Sequence, residues 1–456
     1  MQRTPLPLPC RLLCGLLLLA LLAAAPARAG SPGRDLAQEA HAALLDGDAA
    51  RALDLAGKAL GSGDLDPEDR AVTLKLRGAA RHALGDPRAA LDDYSAAVAL
   101  FPNYAEAYVN RAAAWFDLKD NAAALADLDQ AIALKPGLES AYFNRARVRE
   151  AMGDAPGAVR DYNASLILVP DNPQALVARA RLYSGLNAPD LALADYDRAA
   201  GLAPDAAEPF LGRGALRLRK ADPAGAEADF RRAASLAPDL ASPHLGLSQA
   251  AWLRRDLATA EAELDEALRR DPKLAAAYND RGALREASGR PKEAVEDYTR
   301  AVALARSPQE AAASLANRGL AVRRLGRLPA AATDLAKAAA LVPDSAGYHA
   351  LHGDILLEMG DAAAAEADLS RALALPSPPP DALFLRAEAR RRLNRLEEAE
   401  ADLTACLEQS CHAGAATRRG LVRLALDRPG PAAADLKAAA GADIQAALLP
   451  HLAGVR

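Results

Sequence analysis

Large aromatic side chains are scarce in this sequence, whose 456 residues include only 2 Trp, 10 Tyr and 6 Phe. β-Branched residues are also few, and strands are built mainly from these two classes. The composition therefore argues against a β-sandwich, a barrel or a large parallel sheet. Alanine is abundant instead, with 117 residues. Helices that pack closely through alanine can bury this apolar surface, so we expect an all-α protein.

The sequence has neither an excess of basic residues nor a motif for catalysis. Its 55 Lys and Arg against 60 Asp and Glu give a net charge of -5, which argues against nucleic acid as a partner. Phosphate-loop, zinc-protease and nucleophile-elbow patterns are absent. After residue 29, no stretch is apolar over the ~20 residues that a membrane helix needs. We therefore expect no enzyme, no cofactor and no membrane span in the mature chain.

The N-terminus has the pattern of an export signal. Arg3 and Arg11 precede an apolar run at residues 12–25, and Ala27-Arg28-Ala29 offers the small residues that signal peptidases cut. The alternative is a membrane anchor, but the run is shorter than the ~20 residues needed to span a bilayer. We predict a signal peptide at residues 1–29 and a short linker at 30–34. The mature chain is then exported, to the periplasm of a Gram-negative bacterium or as a secreted protein.

The main signal in the sequence is a repeat of 34 residues. Small residues, acids and prolines recur with this period, and several repeats pair two amphipathic segments of about fourteen residues. The prolines are Pro102, Pro136, Pro170, Pro204, Pro238 and Pro272. Each proline ends one segment, and Asp86-Pro87 and Asp222-Pro223 have the residues that start the next helix. The pattern predicts a chain of helical hairpins.

A small residue in the eighth place, Ala in the twentieth and twenty-seventh, an aromatic or Leu in the twenty-fourth and Pro in the thirty-second resemble the tetratricopeptide repeat family. The resemblance implies an all-α, right-handed superhelical solenoid of about twelve helix-turn-helix repeats over residues 35–442, followed by a C-terminal cap helix at 443–456. The first repeat is degenerate, and irregular joints fall near 61–70, 305–312 and 376–380. The repeats begin near Gly33, Ala71, Ala105, Glu139, Pro173, Ala207, Ala241, Ala275, Ala312, Ala346, Pro380 and Ala413.

An arginine recurs in the seventh place and an acid in the twenty-third. The arginines are Arg77, Arg111, Arg145, Arg179, Arg213, Arg281, Arg318 and Arg386. Since these two places can meet in a helical hairpin, we predict a repeated Arg-carboxylate pair with a structural role. In the repeat that begins at Ala241, Leu247 and Glu263 occupy these places, so we expect the pair to be lost there.

In related arrays, a concave groove lined by the first helix of each repeat binds peptides. By that resemblance the groove residues here are Asn110, Phe116, Phe143, Asn144, Arg147 and Arg181. Asparagine in the sixth place resembles the family's device for holding a peptide backbone, because an amide both donates and accepts hydrogen bonds. Asn317 is an isolated further case. The alternative is a solvated groove with no dedicated ligand.

Other groove positions carry a second basic patch and two more aromatic residues. Arg323, Arg324, Arg391 and Arg392 could hold an acidic partner, or form only a solvated face. Trp252 and Phe384 join Phe116 and Phe143 as the aromatic groove residues to mutate first. A non-catalytic scaffold that binds a protein or peptide segment, with a role in envelope assembly or export, is the leading hypothesis.

Cys406 and Cys411 are the cysteines left after export. A disulfide between them is one interpretation, and the other is that Cys406 only fills a small buried place. With His412 they also resemble a long-spaced haem c attachment motif, so the rival hypothesis is a redox, haem or metal accessory protein that uses Cys406, Cys411 and His412. His349 and His352 are three residues apart, which is weak for a metal site without a third ligand.

Overall fold

A computed structural model describes residues 31–452, with side chains up to residue 440. Over that range the chain forms consecutive α-helices and no strand, which confirms the all-α helical repeat solenoid. The helices are α1 (Pro32–Leu45), α2 (Ala49–Gly61), α3 (Pro67–Ala83), α4 (Pro87–Leu100), α5 (Ala105–Asp117), α6 (Asn121–Leu134), α7 (Glu139–Ala151), α8 (Ala155–Leu168), α9 (Pro173–Gly185), α10 (Pro189–Leu202), α11 (Ala207–Arg219), α12 (Pro223–Leu236), α13 (Ser242–Leu253), α14 (Leu257–Arg270), α15 (Ala275–Ala287), α16 (Pro291–Leu304), α17 (Pro308–Arg324), α18 (Leu328–Leu341), α19 (Ala346–Met359), α20 (Ala362–Ala374), α21 (Ala382–Arg392), α22 (Leu396–Glu408), α23 (Ala415–Ala425) and α24 (Pro429–Leu452).

The chain divides into two compact units, an N-terminal unit that ends at Leu216 and a C-terminal unit that begins at Arg217. Odd-numbered helices are the first, or A, helices of the repeats, and even-numbered ones are the B helices. Inside each unit a B helix packs against the A helix of its own hairpin and against the next A helix, and successive A helices such as α5 and α7, or α15 and α17, also touch. We call the exposed side of the A helices, at the second, fifth, sixth, ninth, twelfth and thirteenth places, the A-helix face.

The turn between the two helices of a repeat uses one residue in the left-handed backbone region. Glycine occupies this place in half of the repeats, as at Gly85 (φ 88°), but Lys119, Ala221 and Arg255 also adopt it. The next residue is often an aspartate whose carboxylate accepts a hydrogen bond from a backbone N–H in the first turn of the B helix, as Asp86 does from Ala89 at 3.0 Å. Turn chemistry thus sets where each hairpin folds back.

Small residues occur where the helices approach most closely. A Cβ added to Gly282 in α15 would come within 2.7 Å of the Tyr298 ring, which is fully buried in the facing helix α16. Ala112, Ala124 and Ala131 are likewise buried at the contact of α5 with α6. Alanine and glycine therefore allow short distances between helix axes, which is why the chain needs so few large side chains.

Two of the irregular joints are partly helical. The extra residues before the second and ninth repeats lengthen α3 and α17, which begin at Pro67 and Pro308 with Asp66 and Ser307 as N-caps. Proline in the first helical position and a capping side chain ahead of it explain this extension. The third joint, between α20 and α21, is not helical, and Ser377 there has a positive φ of 54°.

The chain termini differ from expectation. Helix α1 begins at Pro32, so residues 32–34 are helical and not part of a linker. Helix α24 runs without a break from Pro429 to Leu452, so the cap helix expected to start at 443 continues the last B helix. No proline interrupts residues 432–449, and a single glycine costs a helix only about 1 kcal/mol. The predicted signal peptide at 1–29 and residues 453–456 lie outside the described residues.

Candidate functional site

The predicted pairing of the seventh and twenty-third places is confirmed. In the third repeat, Arg111 Nε and Nη2 donate to the two carboxylate oxygens of Asp127 at 2.8 and 2.7 Å. The same geometry joins Arg77 to Asp93, Arg145 to Asp161, Arg179 to Asp195, Arg281 to Asp297, Arg318 to Asp334, Arg386 to Asp402, and also Arg419 to Asp435, which sequence reasoning missed. These pairs fix each A helix against its B helix.

Several pairs belong to larger networks. Asp297 accepts from Arg281 at 2.7 Å and also lies 2.8 Å from Arg285, one turn further along α15. Arg281 also reaches back to Asp265 of the preceding B helix at 2.6 Å. Burial lowers the pKa of Arg281, but the hydrogen bonds to Asp297 and Asp265 outweigh it and leave the pKa raised. These arginines are structural and are not available to a ligand.

Two repeats replace the arginine with histidine. In the repeat where Leu247 is buried, the carboxylate of Glu263 was expected to have no partner. It has one, because His244 Nδ1 lies 2.7 Å from it. His352 in α19 hydrogen-bonds Asp368, and His349 lies 3.8 Å from the same carboxylate. These three histidines therefore serve the hairpin frame. Among residues 31–440, no group of His, Cys, Asp and Glu is arranged to hold a metal ion.

Three of the predicted groove residues meet on the A-helix face of the N-terminal unit. The Arg147 guanidinium of α7 lies 5.5 Å from the centre of the Phe116 ring of α5, and its Nη1 is 3.5 Å from Asn144 Oδ1. Asn110 lies on α5 and is half-buried, and none of the described residues hydrogen-bonds its side-chain amide. An amide, an aromatic ring and a guanidinium are thus presented side by side on adjacent A helices.

The other two predicted groove residues have partners of their own. Phe143 packs edge-on against Tyr162 with the ring centres 5.6 Å apart, so it belongs to the core. Arg181 donates to Glu150 at 2.6 Å, although its side chain remains well exposed. Burial raises the pKa of Tyr162, whose hydroxyl also contacts Glu150. Arg181 is therefore held to α7, the helix of Asn144 and Arg147, by its ion pair with Glu150.

Beyond Ala178, which ends the row of asparagines, two sixth places hold glycine for a steric reason. A Cβ added to Gly212, in the sixth place of its repeat, would lie 2.3 Å from the Tyr196 ring. In the C-terminal unit, a Cβ at Gly246 would lie 2.5 Å from Phe230. A ring from the preceding B helix fills the place that an amide would need. Asn317, which the sequence left isolated, donates from Nδ2 to Asn279 Oδ1 at 3.0 Å.

The arginines of the expected second basic patch are already engaged in ion pairs. All four guanidinium groups have a carboxylate partner on the same face, although Arg391 and Arg392 share the single carboxylate of Glu388. The contacts are Arg323 to Asp354 at 2.9 Å, Arg324 to Glu286 at 3.2 Å, Arg391 to Glu388 at 2.7 Å and Arg392 to Glu388 at 3.1 Å. Arg323 and Arg324 pair with acids about one repeat away in sequence, so these pairs are not visible from the arginines alone, whereas Glu388 lies only three and four residues from Arg391 and Arg392.

Cys406 and Cys411 are joined by a disulfide with their Cα atoms 5.0 Å apart. Cys406 is fully buried near the end of α22, and Cys411 lies in the following turn. The His412 ring stacks on Phe384 with the ring centres 3.8 Å apart, so Phe384 is also occupied. A haem thioether needs two free thiols, and here both sulfurs are bonded to each other. The geometry therefore gives the redox or haem alternative no support.

Sequence reasoning missed a cavity in the C-terminal unit. It has a volume of about 410 Å³ and lies between the end of α11, α13 and α15, with α14 behind them. The lining residues are Leu218, Arg219, Ser248, Gln249, Trp252, Leu253, Ala260, Leu264, Asp280, Ala283 and Leu284. Trp252 was expected in the groove, but Asp280, in the sixth place of its repeat, was not singled out. The signal available in the sequence was the acid itself, which occupies the sixth place, where the resemblance to the family leads one to expect an asparagine.

Hairpins held by buried ion pairs, with polar and aromatic side chains on the A helices, define a helical-repeat scaffold. None of the described helices combines the length and apolar character that a membrane crossing requires. A family model described as tetratricopeptide repeat matches residues 76–139, 143–207, 211–275, 279–346 and 351–410. The chain therefore belongs to the tetratricopeptide repeat family, whose members are typically non-catalytic scaffolds for protein-protein interaction.

Solved structures of this family resemble the chain at low sequence identity. Yeast Tom70 is 16% identical, with a TM-score of 0.47 over 80% of this chain and 96% of that one. A tetratricopeptide repeat protein from Parabacteroides merdae ATCC 43184 is 18% identical, with a TM-score of 0.44 over 62% and 98%. YrrB, described as having an unusual peptide-binding site, is 20% identical, with a TM-score of 0.36 over 40% and 95%. No curated protein matches the chain.

Proposed function

We propose that this protein is an exported, non-catalytic scaffold that binds a segment of a partner protein on its A-helix face. The observation that carries the proposal is the cluster of Phe116, Asn144 and Arg147, together with Asn110 on the same helix as Phe116. These side chains come from consecutive A helices and lie outside the Arg-carboxylate frame, although the Phe116 ring also packs against the buried core. Side chains that exceed what the fold requires are candidates for recognition.

The chemistry of this cluster suits an extended peptide. The Asn110 amide can donate to a backbone carbonyl and accept from a backbone N–H, which holds a chain independently of its sequence. Arg147 stacks on Phe116 and can still donate to a carboxylate, while the ring offers apolar area to a neighbouring side chain. The cluster therefore combines backbone capture with selection of a side chain.

Affinity capture with the mature chain tests this proposal. We expect wild type to retain a partner that Asn110→Ala/Asn144→Ala loses. Asn103→Ala/Gln130→Ala serves as the matched control, because both side chains are exposed and lie off the A-helix face. Circular dichroism should show equal helicity for all three proteins. If the cluster variant captures the same proteins as wild type, the cluster is not the binding site.

Export is supported by the pattern at residues 1–29 and by the disulfide of Cys406 and Cys411, since disulfides persist in oxidising compartments. We expect the intact mass of the protein purified from its native host to correspond to a chain that starts at Gly30 and lacks free thiols. A cytoplasmic protein that retains residues 1–29 would contradict export while leaving the scaffold function untouched.

A further inference from the structure

The cavity of about 410 Å³ in the C-terminal unit has the size and lining of a binding pocket. Ligand pockets have volumes of roughly 300–1,000 Å³, so this one holds one or two side chains. Its wall is largely apolar and includes Leu218, Leu264 and Leu284. At its edge Trp252 is 40% exposed and Leu253 is 50% exposed, so two large apolar side chains next to each other in sequence face solvent. These side chains offer apolar area to a partner beside the cavity.

The polar side of the pocket is Asp280. Its carboxylate accepts a hydrogen bond from Gln249 Nε2 at 3.2 Å, and it forms no ion pair with a Lys, Arg or His among the described residues. Burial raises the pKa of Asp280, although hydrogen bonds from Gln249 and Asn279 oppose this. Arg219 also lines the pocket, but it is exposed and already has an interaction of its own.

Other acids on the A-helix face of this unit have guanidinium partners. Glu286 is paired with Arg324 at 3.2 Å, Asp354 with Arg323 at 2.9 Å and Glu388 with Arg391 at 2.7 Å. Asp280 differs from these acids because its hydrogen bonds come from amide groups and it forms no ion pair among the described residues, even though Arg219 also lines the pocket. A carboxylate held in an apolar setting gains most from a cation that arrives with a ligand.

We propose that this pocket binds an arginine side chain of a partner protein, with the guanidinium on the Asp280 carboxylate and the aliphatic stem against Trp252 and Leu253. This inference rests on the proposed function and names the side chain that the C-terminal unit selects. The planar guanidinium can donate two parallel hydrogen bonds to a carboxylate while its face stacks on indole, which the compact ammonium of lysine cannot do.

The protein's own contacts show the same combination of groups. Arg281 donates to Asp297 while its guanidinium lies 5.5 Å from the centre of the Tyr278 ring. Arg111 does the same with Asp127 and with Tyr108, at 5.3 Å. In the pocket, the Asp280 carboxylate and the Trp252 ring are both present, but no arginine is paired with Asp280 among the described residues.

Selection from a displayed library of random peptides tests the proposal. The targets are the mature wild-type chain, Asp280→Asn, and Asp354→Asn as a matched control that removes a carboxylate already paired on the same face. Asparagine at 280 keeps the size of the side chain and can still accept from Gln249, so we expect the variant to fold. Wild type and Asp354→Asn should enrich peptides with an arginine at one fixed position. Asp280→Asn should still enrich peptides, but without that arginine.

The best selected peptide is then compared with the same peptide containing citrulline, the neutral isostere of arginine. Because the chain has 2 Trp, Trp115→Phe leaves Trp252 as a fluorescent reporter in the pocket. We expect citrulline to weaken binding to wild type by about tenfold and to leave binding to Asp280→Asn nearly unchanged. Arginine binding to wild type should also weaken as the pH falls through the raised pKa of Asp280, since protonation removes the attracting charge.

The outcomes separate the two proposals. Peptides enriched on wild type without a fixed arginine, or with an arginine that Asp280→Asn retains, would overturn the arginine pocket and leave the scaffold function standing. If no peptide is enriched on wild type, the arginine pocket is overturned, and the scaffold function is then decided by the affinity capture with Asn110→Ala/Asn144→Ala.

Discussion

Removing either member of the Arg111–Asp127 pair should destabilise the third repeat, and by unequal amounts. The Asp127 side chain is only 9% exposed, so Arg111→Ala leaves a buried carboxylate without a cation and should cost about 3 kcal/mol. Arg111 is 20% exposed and can turn to water, so Asp127→Ala should cost only about 1–2 kcal/mol. Because both substitutions remove the same interaction, the double variant should cost about 2 kcal/mol less than the sum of the single losses.

Urea unfolding followed by the fluorescence of Trp115 measures these losses, with Trp252→Phe as the background. Trp115 lies in α5 with Arg111, and hydrogen exchange of α5 and α6 checks that the loss is local, as expected for a repeat array. Arg198→Ala is the control, because its pair with Asp171 is exposed and should be worth less than 1 kcal/mol. Additive single losses, or Arg111→Ala costing less than Asp127→Ala, would refute the reasoning.

Three further substitutions test other parts of the structure. Ala221 has a positive φ of 58°, which is unfavourable for a residue with a Cβ, so Ala221→Gly should raise the free energy of unfolding in urea by about 1 kcal/mol. No gain would show that the backbone of Ala221 is not strained. His352→Arg should stabilise α19 and α20 in hydrogen exchange, because a guanidinium can donate two parallel hydrogen bonds to Asp368, as Arg111 does to Asp127, and no gain would argue against such a pair. Cys406→Ser/Cys411→Ser should lower the stability of the last hairpins by about 2 kcal/mol, because the disulfide closes a short loop and so restricts the unfolded chain. Unchanged urea unfolding would show that the disulfide is dispensable.

The Asp368 carboxylate adds a pH dependence in acid. Burial raises its pKa, but the hydrogen bond and charge of His352 outweigh burial, so the pKa lies below its ordinary value. A lowered carboxyl pKa stabilises the folded state above the ordinary value of 3.8 and loses this effect as the pH falls below it. We expect acid titration to unfold α19 and α20 at higher pH in His352→Ala than in wild type. Identical midpoints would contradict this linkage.

The fold was predictable because the sequence patterns that specify it lie within one repeat. The 34-residue period, the aspartate caps and the Arg111–Asp127 spacing are all local patterns, and the structure has each of them where expected. The helical form of the joints before α3 and α17 was not predicted, although the signal was present. Asp66-Pro67 and Ser307-Pro308 have the residues that start a helix, so the extra residues add a helical turn.

The candidate site was less predictable because its contacts join side chains of different repeats. The Arg323–Asp354 pair spans 31 residues, and whether these long side chains meet depends on how neighbouring A helices are rotated. The pocket beside Asp280 likewise depends on side-chain sizes on three A helices at once. His244 takes the role of the missing arginine from the fourth place of its repeat. A comparison of the seventh places alone cannot reveal this.

The most direct test of the central claim is site-specific photo-crosslinking in the native host. A photoreactive phenylalanine analogue replaces Phe116 or Trp252 on the A-helix face, or Gln130 on the exposed side of α6 as the control. We predict that positions 116 and 252 crosslink to a partner protein while position 130 does not. Crosslinks from position 130 with none from the A-helix face would contradict the account.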